Sequence, residues 1–304
     1  MYFEAREYIP CDLCGEDDYG IFINEKLKRS IVESDFSVFG EQCEHPRLVK
    51  CRKCGLIYAN PRDYWNDLEK KYDGLNIDGY ISEEQSRRLT AQACVELVKR
   101  YVENGKVLDI GCSAGFFLDS LPDSFEPYGV EPGAEAACIA KQLIGEKAVY
   151  HGFFDDIAYE DEFFDVITLW DVIEHLPSPK GTLMKTKSIL KKGGFLFIAT
   201  PDVGSLFARL MGKQWPHFIR QHLYYFNRKT LPYLLKSCGF KRIYQSTFSR
   251  KFKLGYILRR ARPLLFSEKR IKNMSEKKIL SRILNATISI DLGDMILLVA
   301  KKIE

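Results

Sequence analysis

The sequence predicts an α/β fold, a doubly wound and mostly parallel sheet with a small cysteine-bearing unit ahead of it and a helical insertion near its carboxyl end. Three observations predict it. From residue 105 onward, short apolar runs alternate with helical stretches, a pattern that builds a parallel sheet covered on both faces. The first run ends in a turn of small residues, Gly111-Cys112-Ser113-Ala114-Gly115, and the next ends at an acid, Glu131. Ahead of them stand two C-x-x-C-G units, Cys11–Gly15 and Cys51–Gly55.

Each element follows from its residues. In a C-x-x-C-G turn two thiolates can grip one metal ion, and the glycine permits the left-handed backbone that turns amides toward sulfur. Two such turns make a tetrahedral sulfur site, which best suits Zn²⁺. Cys11, Cys14, Cys51 and Cys54 close the site, so the metal is expected to be structural. The intervening stretch contains Cys43 and His45, which leaves an exchange of one ligand open. Ser82-Glu83-Glu84-Gln85 reads as a capping box. Leu89, Ala93, Leu97, Val98, Tyr101 and Val102 follow at helical spacing, and Asn104-Gly105 ends that helix. Strands are expected at Val107–Ile110, Tyr128–Val130, Ala148–Tyr150, Asp165–Leu169 and Phe195–Ala199, and helices near 114–120, 133–144 and 178–191. Asp294–Ala300 reads as the last strand. The expected division is a zinc ribbon over 1–62, a linker with leading helices over 63–104, and a core over 105–304 carrying an insertion at about 249–290.

Composition excludes several classes. Hydrophobic residues are 46% and charged residues 28% of 304, which argues against extended disorder. There is no apolar run of about 18 residues, so no spanning helix is expected, and the first residues do not read as a signal peptide. Nine cysteines, an odd number without an export signal, argue for a reducing cytoplasm and against a disulfide framework. The net charge of +4 gives no overall argument for nucleic acid.

Val107-Leu108-Asp109-Ile110-Gly111-Cys112-Ser113-Ala114-Gly115, followed by Glu131, resembles the class I S-adenosylmethionine-dependent methyltransferases, whose fold is Rossmann-like. Ser113 stands where glycine is commonest. A nicotinamide-binding domain also pairs a glycine loop with a later acid. Here Asp109 precedes the first glycine by two, and Phe116 occupies the place of that fingerprint's third small residue. Phe164–Leu176, Leu190–Leu196, Thr200-Pro201-Asp202, Gln221–Phe226, Leu235–Phe240 and Cys51–Arg62 continue the likeness. They resemble a bacterial branch with a zinc ribbon ahead of the core, associated with sugars, surface polysaccharides and secondary metabolites. The resemblance implies that Asp109, Gly111, Ser113 and Gly115 face the methionine part of the cofactor. Glu131 is implied to take the ribose, and Phe154 and Asp155, beside Phe153, to border the adenine.

Trp170 and Asp171 end the fourth strand beside the expected methyl donor. Trp170 either supports the cation by its ring face or simply packs. Methyl transfer needs an aligned nucleophile and a way to remove its proton. His222 is the favoured base or substrate ligand, with Tyr225 and His217 behind it in an aromatic-rich stretch. His175, after Glu174 at an expected helix start, is a second candidate that either caps or packs. The acceptor is expected to be a small molecule or sugar, methylated on oxygen.

Residues 241–285 hold fourteen Lys or Arg against two acids, a local +12 that leaves the rest of the chain at −8. Interleaved apolar residues suggest amphipathic helices broken at Pro263. Such a segment suits a solvated face over the site, an anionic membrane surface or the phosphate of a substrate. Nucleic acid, RNA in particular, ranks lower, as does a scaffold that binds the cofactor without catalysis.

Overall fold

The computed structural model describes residues 6–27, 44–74, 77–253 and 287–303. Strands β1 (Arg6–Glu7), β2 (Tyr19–Ile23), β3 (Leu48–Cys51), β4 (Ile57–Ala59) and β5 (Arg62–Asp63) come first, then helices α1 (Trp65–Asp73), α2 (Asp78–Ile81) and α3 (Glu84–Lys99). The core follows as β6 (Gly105–Ile110), α4 (Phe116–Asp119), β7 (Phe125–Glu131), α5 (Ala134–Ile144), β8 (Val149–His151), β9 (Phe164–Trp170), α6 (Pro179–Ile189) and β10 (Leu190–Pro201). It continues with α7 (Leu206–Met211), β11 (Tyr224–Tyr225), α8 (Thr230–Ser237), β12 (Phe240–Thr247), β13 (Arg250–Lys253), β14 (Thr287–Ile290) and β15 (Met295–Lys302).

Seven strands form the central sheet in the order β12-β15-β10-β9-β6-β7-β8. β10, β9, β6, β7 and β8 run parallel, and β15 enters antiparallel between β10 and β12. Chain order reverses between β6 and β9, and ligands of such sheets bind outside the carboxyl ends of the strands at that point.

Successive side chains of a strand face opposite ways, and the core divides accordingly. Leu108, Ile110, Ile167, Leu169, Leu196 and Ile198 pack with Leu183 and Ile189 of α6 and Leu231, Leu234 and Leu235 of α8. Val107, Val166, Phe197 and Ala199 pack on the other face with Ala91, Cys94, Val95 and Val98 of α3 and Ala137 and Ala140 of α5.

The sheet of the cysteine-bearing unit is completed by a strand from far along the chain. Its strands run β11-β4-β3-β2, so its fourth strand comes from residues 224–225, with Tyr224 opposite Tyr58 and Tyr225 opposite Ile57. Cys11, Leu13 and Cys51 lie in the same apolar cluster as the face under α6 and α8. A buried pair reinforces the junction: Arg220 Nε and Nη2 donate to the two oxygens of Asp63 at 2.8 and 3.1 Å. Removing one partner of such a pair costs about 3–5 kcal/mol.

Three sequence expectations are corrected locally. Ser82 is not the N-cap of α3; its Oγ donates to the Gly79 carbonyl at 2.9 Å, and Glu83 stands at the N-cap without a side-chain capping bond. Residues 171–178 turn rather than begin a helix, and α6 starts at Pro179, with Ser178 Oγ accepting from Gly181 N at 3.1 Å. His175 therefore sits in a turn. Of the basic insertion, β13 and β14 pair antiparallel, while the expected amphipathic helices fall at 254–286, outside the described residues, as does Cys43.

Candidate active site

The ends of β6, β7 and β9 meet where chain order reverses. Asp109, near the end of β6, is 3% exposed, and its Oδ1 accepts from Thr168 Oγ1 at 2.6 Å. Burial pushes its carboxyl up to about 7; the Thr168 bond pulls it down and the charge of Glu131 pushes it further up. Glu131 ends β7. Its Oε2 accepts from Ser113 N and its Oε1 from Gly133 N, both at 2.8 Å. Burial raises this carboxyl too, and the two N–H donors oppose that rise. Each oxygen retains a lone pair, so the carboxylate is oriented yet still able to accept.

Gly111 opens the loop that Glu131 clamps. Its φ is +73°, and its amide donates to the Val130 carbonyl at 2.8 Å. A Cβ there would stand 2.6 Å from Cγ2 of Val172. Glycine is thus required both by the backbone and by the neighbouring turn.

Two cavities flank this loop. The first, about 390 Å³, is bordered by Asp109, Gly111, Ser113, Trp170 and Asp171 and by Tyr80, Arg87 and Arg250. The second, about 350 Å³, is bordered by Glu131, Phe153, Phe154, Asp155, Tyr72 and His175. Gly111, Asp171 and Val172 line both. Asp171 holds φ +60°, a left-handed conformation costing a non-glycine residue about 1–2 kcal/mol. It is held there by its N–H bond to Ala199 O at 2.9 Å and an ion pair with Arg250. Trp170 stacks on Phe248 at 5.9 Å and meets the edge of Phe117 at 5.7 Å. Its Nε1 is buried without a hydrogen-bond partner.

The candidate bases are placed differently. His175 lines the second cavity, and burial lowers it to about 4. His222 is 5% exposed, borders neither cavity, and contacts the His175 ring at a centroid distance of 4.6 Å. Burial, with His175 and His217 adding to it, holds His222 well below the usual imidazole range. Tyr225 is 2% exposed in the cluster formed with Trp215 and Phe218, and its hydroxyl donates to the Ile219 carbonyl at 3.2 Å. Neither His222 nor Tyr225 therefore reaches the walls of these cavities.

The four thiols converge. Sγ of Cys11 lies 3.4 Å from Cys54 and Sγ of Cys14 3.6 Å from Cys51. Tetrahedral Zn–S bonds of about 2.3 Å set sulfurs about 3.8 Å apart, so the set fits one zinc ion. The two turns are built alike: Gly15 N donates to Cys11 O at 2.7 Å and Gly55 N to Cys51 O at 3.0 Å, with φ of +73° and +77°. His45 is not in the cluster; its Nδ1 bonds the Pro46 carbonyl and its ring packs on Phe218.

Sequence reasoning missed the roof. Residues 63–104 read as a linker with leading helices and no part in the site, yet Trp65 and Tyr72 of α1 pack on Phe153 at the second cavity. Tyr80 of α2 stacks on Phe116 over the first. Arg87 lies over the Tyr80 ring, 3.6 Å from its centroid. The cluster of aromatics ahead of the first core strand was the available signal. Arg250 was read only as part of a basic run.

A family profile described as a methyltransferase domain matches residues 82–245. The ubiquinone biosynthesis O-methyltransferase of Glaesserella parasuis is 34% identical over 106 residues, 31% of this chain and 44% of that protein. The chain spans about half the length of the curated relatives it matches. Among solved structures, a SAM-dependent methyltransferase of Thermotoga maritima, described as a possible histamine N-methyltransferase, aligns with TM-score 0.51 at 20% identity. It covers 78% of this chain and 99% of that one. A chain from the complex of the Haloferax volcanii Trm112 methyltransferase activator with a putative methyltransferase aligns with TM-score 0.53 at 16% identity, over 75% and 95%. These structural likenesses are of fold. With the profile spanning more than half of the residues and the sheet in the order described, the chain belongs to the methyltransferase-domain family of class I S-adenosylmethionine-dependent enzymes.

Proposed function

We propose that the protein transfers a methyl group from S-adenosylmethionine to an oxygen of a small anionic acceptor, a sugar or metabolite bearing phosphate or carboxylate. The observation that carries this reading is the pair of cavities meeting at Gly111, one walled by Asp109 and the other by Glu131. The cofactor, when bound, would supply an electrophilic methyl carbon: as the acceptor O–C bond forms the S–C bond breaks, the sulfonium leaves as a neutral thioether, and the acceptor's hydroxyl proton passes to a base or to water. Asp109, costly as a buried carboxylate, holds the methionine ammonium. Gly111, Ser113 and Gly115 supply the loop backbone, and Glu131 accepts the ribose hydroxyls with its free lone pairs. Phe154 and Asp155 border the adenine, and the Trp170 ring faces the sulfonium.

Arg87 and Arg250 each bury an Nε without a hydrogen-bond partner, and both line the first cavity with Lys251. Guanidinium edges of this kind suit phosphate or carboxylate oxygens. This favours the phosphate-bearing acceptor over a membrane surface as the role of the basic segment. Among the described residues no helix is long and apolar enough to cross a membrane. His175 is the imidazole on the wall of the second cavity, with His222 and Tyr225 positioning it from behind. Cys11, Cys14, Cys51 and Cys54 hold a structural Zn²⁺, in keeping with the zinc-ribbon branch. Relatives named as ubiquinone biosynthesis O-methyltransferases support oxygen as the acceptor atom.

Calorimetry with S-adenosylmethionine against NAD tests the cofactor, and metal analysis the zinc. Radiolabelled methyl transfer to nucleotide sugars, glycolipid extracts and RNA tests the acceptor. Label on RNA alone would overturn the small-acceptor reading, and binding of NAD alone would overturn the whole of it.

A further inference from the structure

We infer that Glu174, His175 and His222 form a divalent-cation site behind the second cavity, distinct from the four thiols. Their ligand atoms all lie within 4.8 Å of one another. The topology brings them together: the backbone carbonyl of Glu174 accepts from both Leu223 N and Tyr224 N, at 2.9 and 3.1 Å. The turn after β9 is thereby fastened to the strand that follows His222.

Each group is held so that one atom is presented inward. Glu174 is 2% exposed; Thr200 Oγ1 donates to its Oε2 at 2.9 Å, while Oε1 has no hydrogen-bond partner. Nδ1 of His222 lies 2.8 Å from the His217 carbonyl. A carbonyl only accepts, so Nδ1 carries the proton and Nε2 keeps its lone pair. His175 is half-buried, bonded to the backbone of Gln221, and its Nδ1 is buried without a partner. Imidazoles tied to backbone carbonyls through one nitrogen and offering the other are built as metal ligands are. Buried, unpartnered atoms are costly unless something satisfies them.

One carboxylate and two imidazoles suit Mn²⁺, Fe²⁺, Co²⁺ or Zn²⁺ and leave coordination positions open. His175 is shared between the cluster and the wall of the second cavity, and Asp171 and Val172 line both cavities, so an acceptor held in the first cavity would meet an open position across that shared wall. There the cation would lower the pKa of a hydroxyl group. This role rests on the methyl-transfer reading; the binding site itself does not.

The test uses the full chain, freed of exchangeable metal and titrated with Mn²⁺, which thiolate clusters hold poorly. Electron paramagnetic resonance reads free Mn²⁺. One Mn²⁺ per chain is expected, with affinity lowered at least about tenfold, the cost of losing even an outer partner, in Glu174→Gln and in His175→Gln. Zinc content should be the same in wild type and variants. Should Glu174→Gln fail to fold by circular dichroism, the half-buried His175→Gln decides. No retained Mn²⁺, or equal retention in a folded variant, overturns the site. Calorimetry with S-adenosylmethionine on the same samples separates the two claims: cofactor binding without Mn²⁺ removes only the cation site, whereas Mn²⁺ binding without the cofactor removes only the methyl-transfer reading.

Discussion

Replacing Gly111 by alanine should destabilise the protein by two separable routes. The backbone at φ +73° costs an L-residue about 1–2 kcal/mol. The new Cβ would stand 2.6 Å from Cγ2 of Val172, and crowding of that kind costs about 1–3 kcal/mol. Together Gly111→Ala should lose about 2–5 kcal/mol of unfolding free energy. In a Val172→Ala background the contacted methyl is gone, and only the conformational cost of about 1–2 kcal/mol remains. A double-mutant cycle by urea unfolding should therefore give a coupling of about 1–3 kcal/mol, with the paired substitution milder than the sum of the singles. Equal cost in both backgrounds would refute the steric argument, and a neutral Gly111→Ala would refute both. Since Gly111 lines both cavities, cofactor affinity should fall with the single change and recover in part in the pair.

Asp109→Asn should flatten the pH dependence of stability. A carboxyl raised from 3.8 to about 7 in the fold contributes stability that is full below its unfolded value and lost as pH rises toward 7. Unfolding free energy measured from pH 4 to 7 should decline less in the variant than in wild type, and an unchanged slope counts against this assignment. Wild-type affinity for S-adenosylmethionine should rise over the same range, as Asp109 ionises, and calorimetry at several pH values reads it. Arg87→Gln and Arg250→Gln should each raise KM for an anionic acceptor about 10- to 150-fold, the worth of a charged hydrogen bond, with cofactor affinity nearly unchanged in Arg87→Gln. Cys14→Ser should lower the zinc content and cost at least about 3 kcal/mol, a fraction of what structural zinc supplies in isolated fingers. Calorimetric scanning with metal analysis checks both.

The core sheet was legible because strand and helix periods alternate and each strand end carries its own signal, acid or glycine. The placing of Asp109, Gly111 and Glu131 at strand ends beside the reversal of chain order was legible for the same reason, since it follows from their neighbours in sequence. The capping box at Ser82 misled because the short helix α2 precedes it and takes that hydroxyl for its own end. His222 drew attention as an imidazole among aromatics, but burial is a tertiary property and the sequence does not display it. Tyr72, Arg87 and Arg250 reach the cavities only through the packing of α1 to α3 and the placing of β13, over separations that no local pattern encodes. Glu174 and His175 were read as adjacent letters; their convergence with His222 depends on backbone bonds across the sheet.

The fourth strand of the thiol-bearing sheet has a consequence for how the chain folds. Arg62 Nη1 meets the Tyr224 hydroxyl across 162 residues of sequence, and Tyr58 pairs with Tyr224. During vectorial synthesis the cysteine turns emerge first, but their sheet keeps an open edge at β4 until residue 225 has left the ribosome. Such an edge is a template for wrong pairing, and closing a contact of that span is slow. The amino-terminal unit therefore cannot mature ahead of the core. Its completion becomes a late event in folding, and the two parts should melt as one cooperative transition.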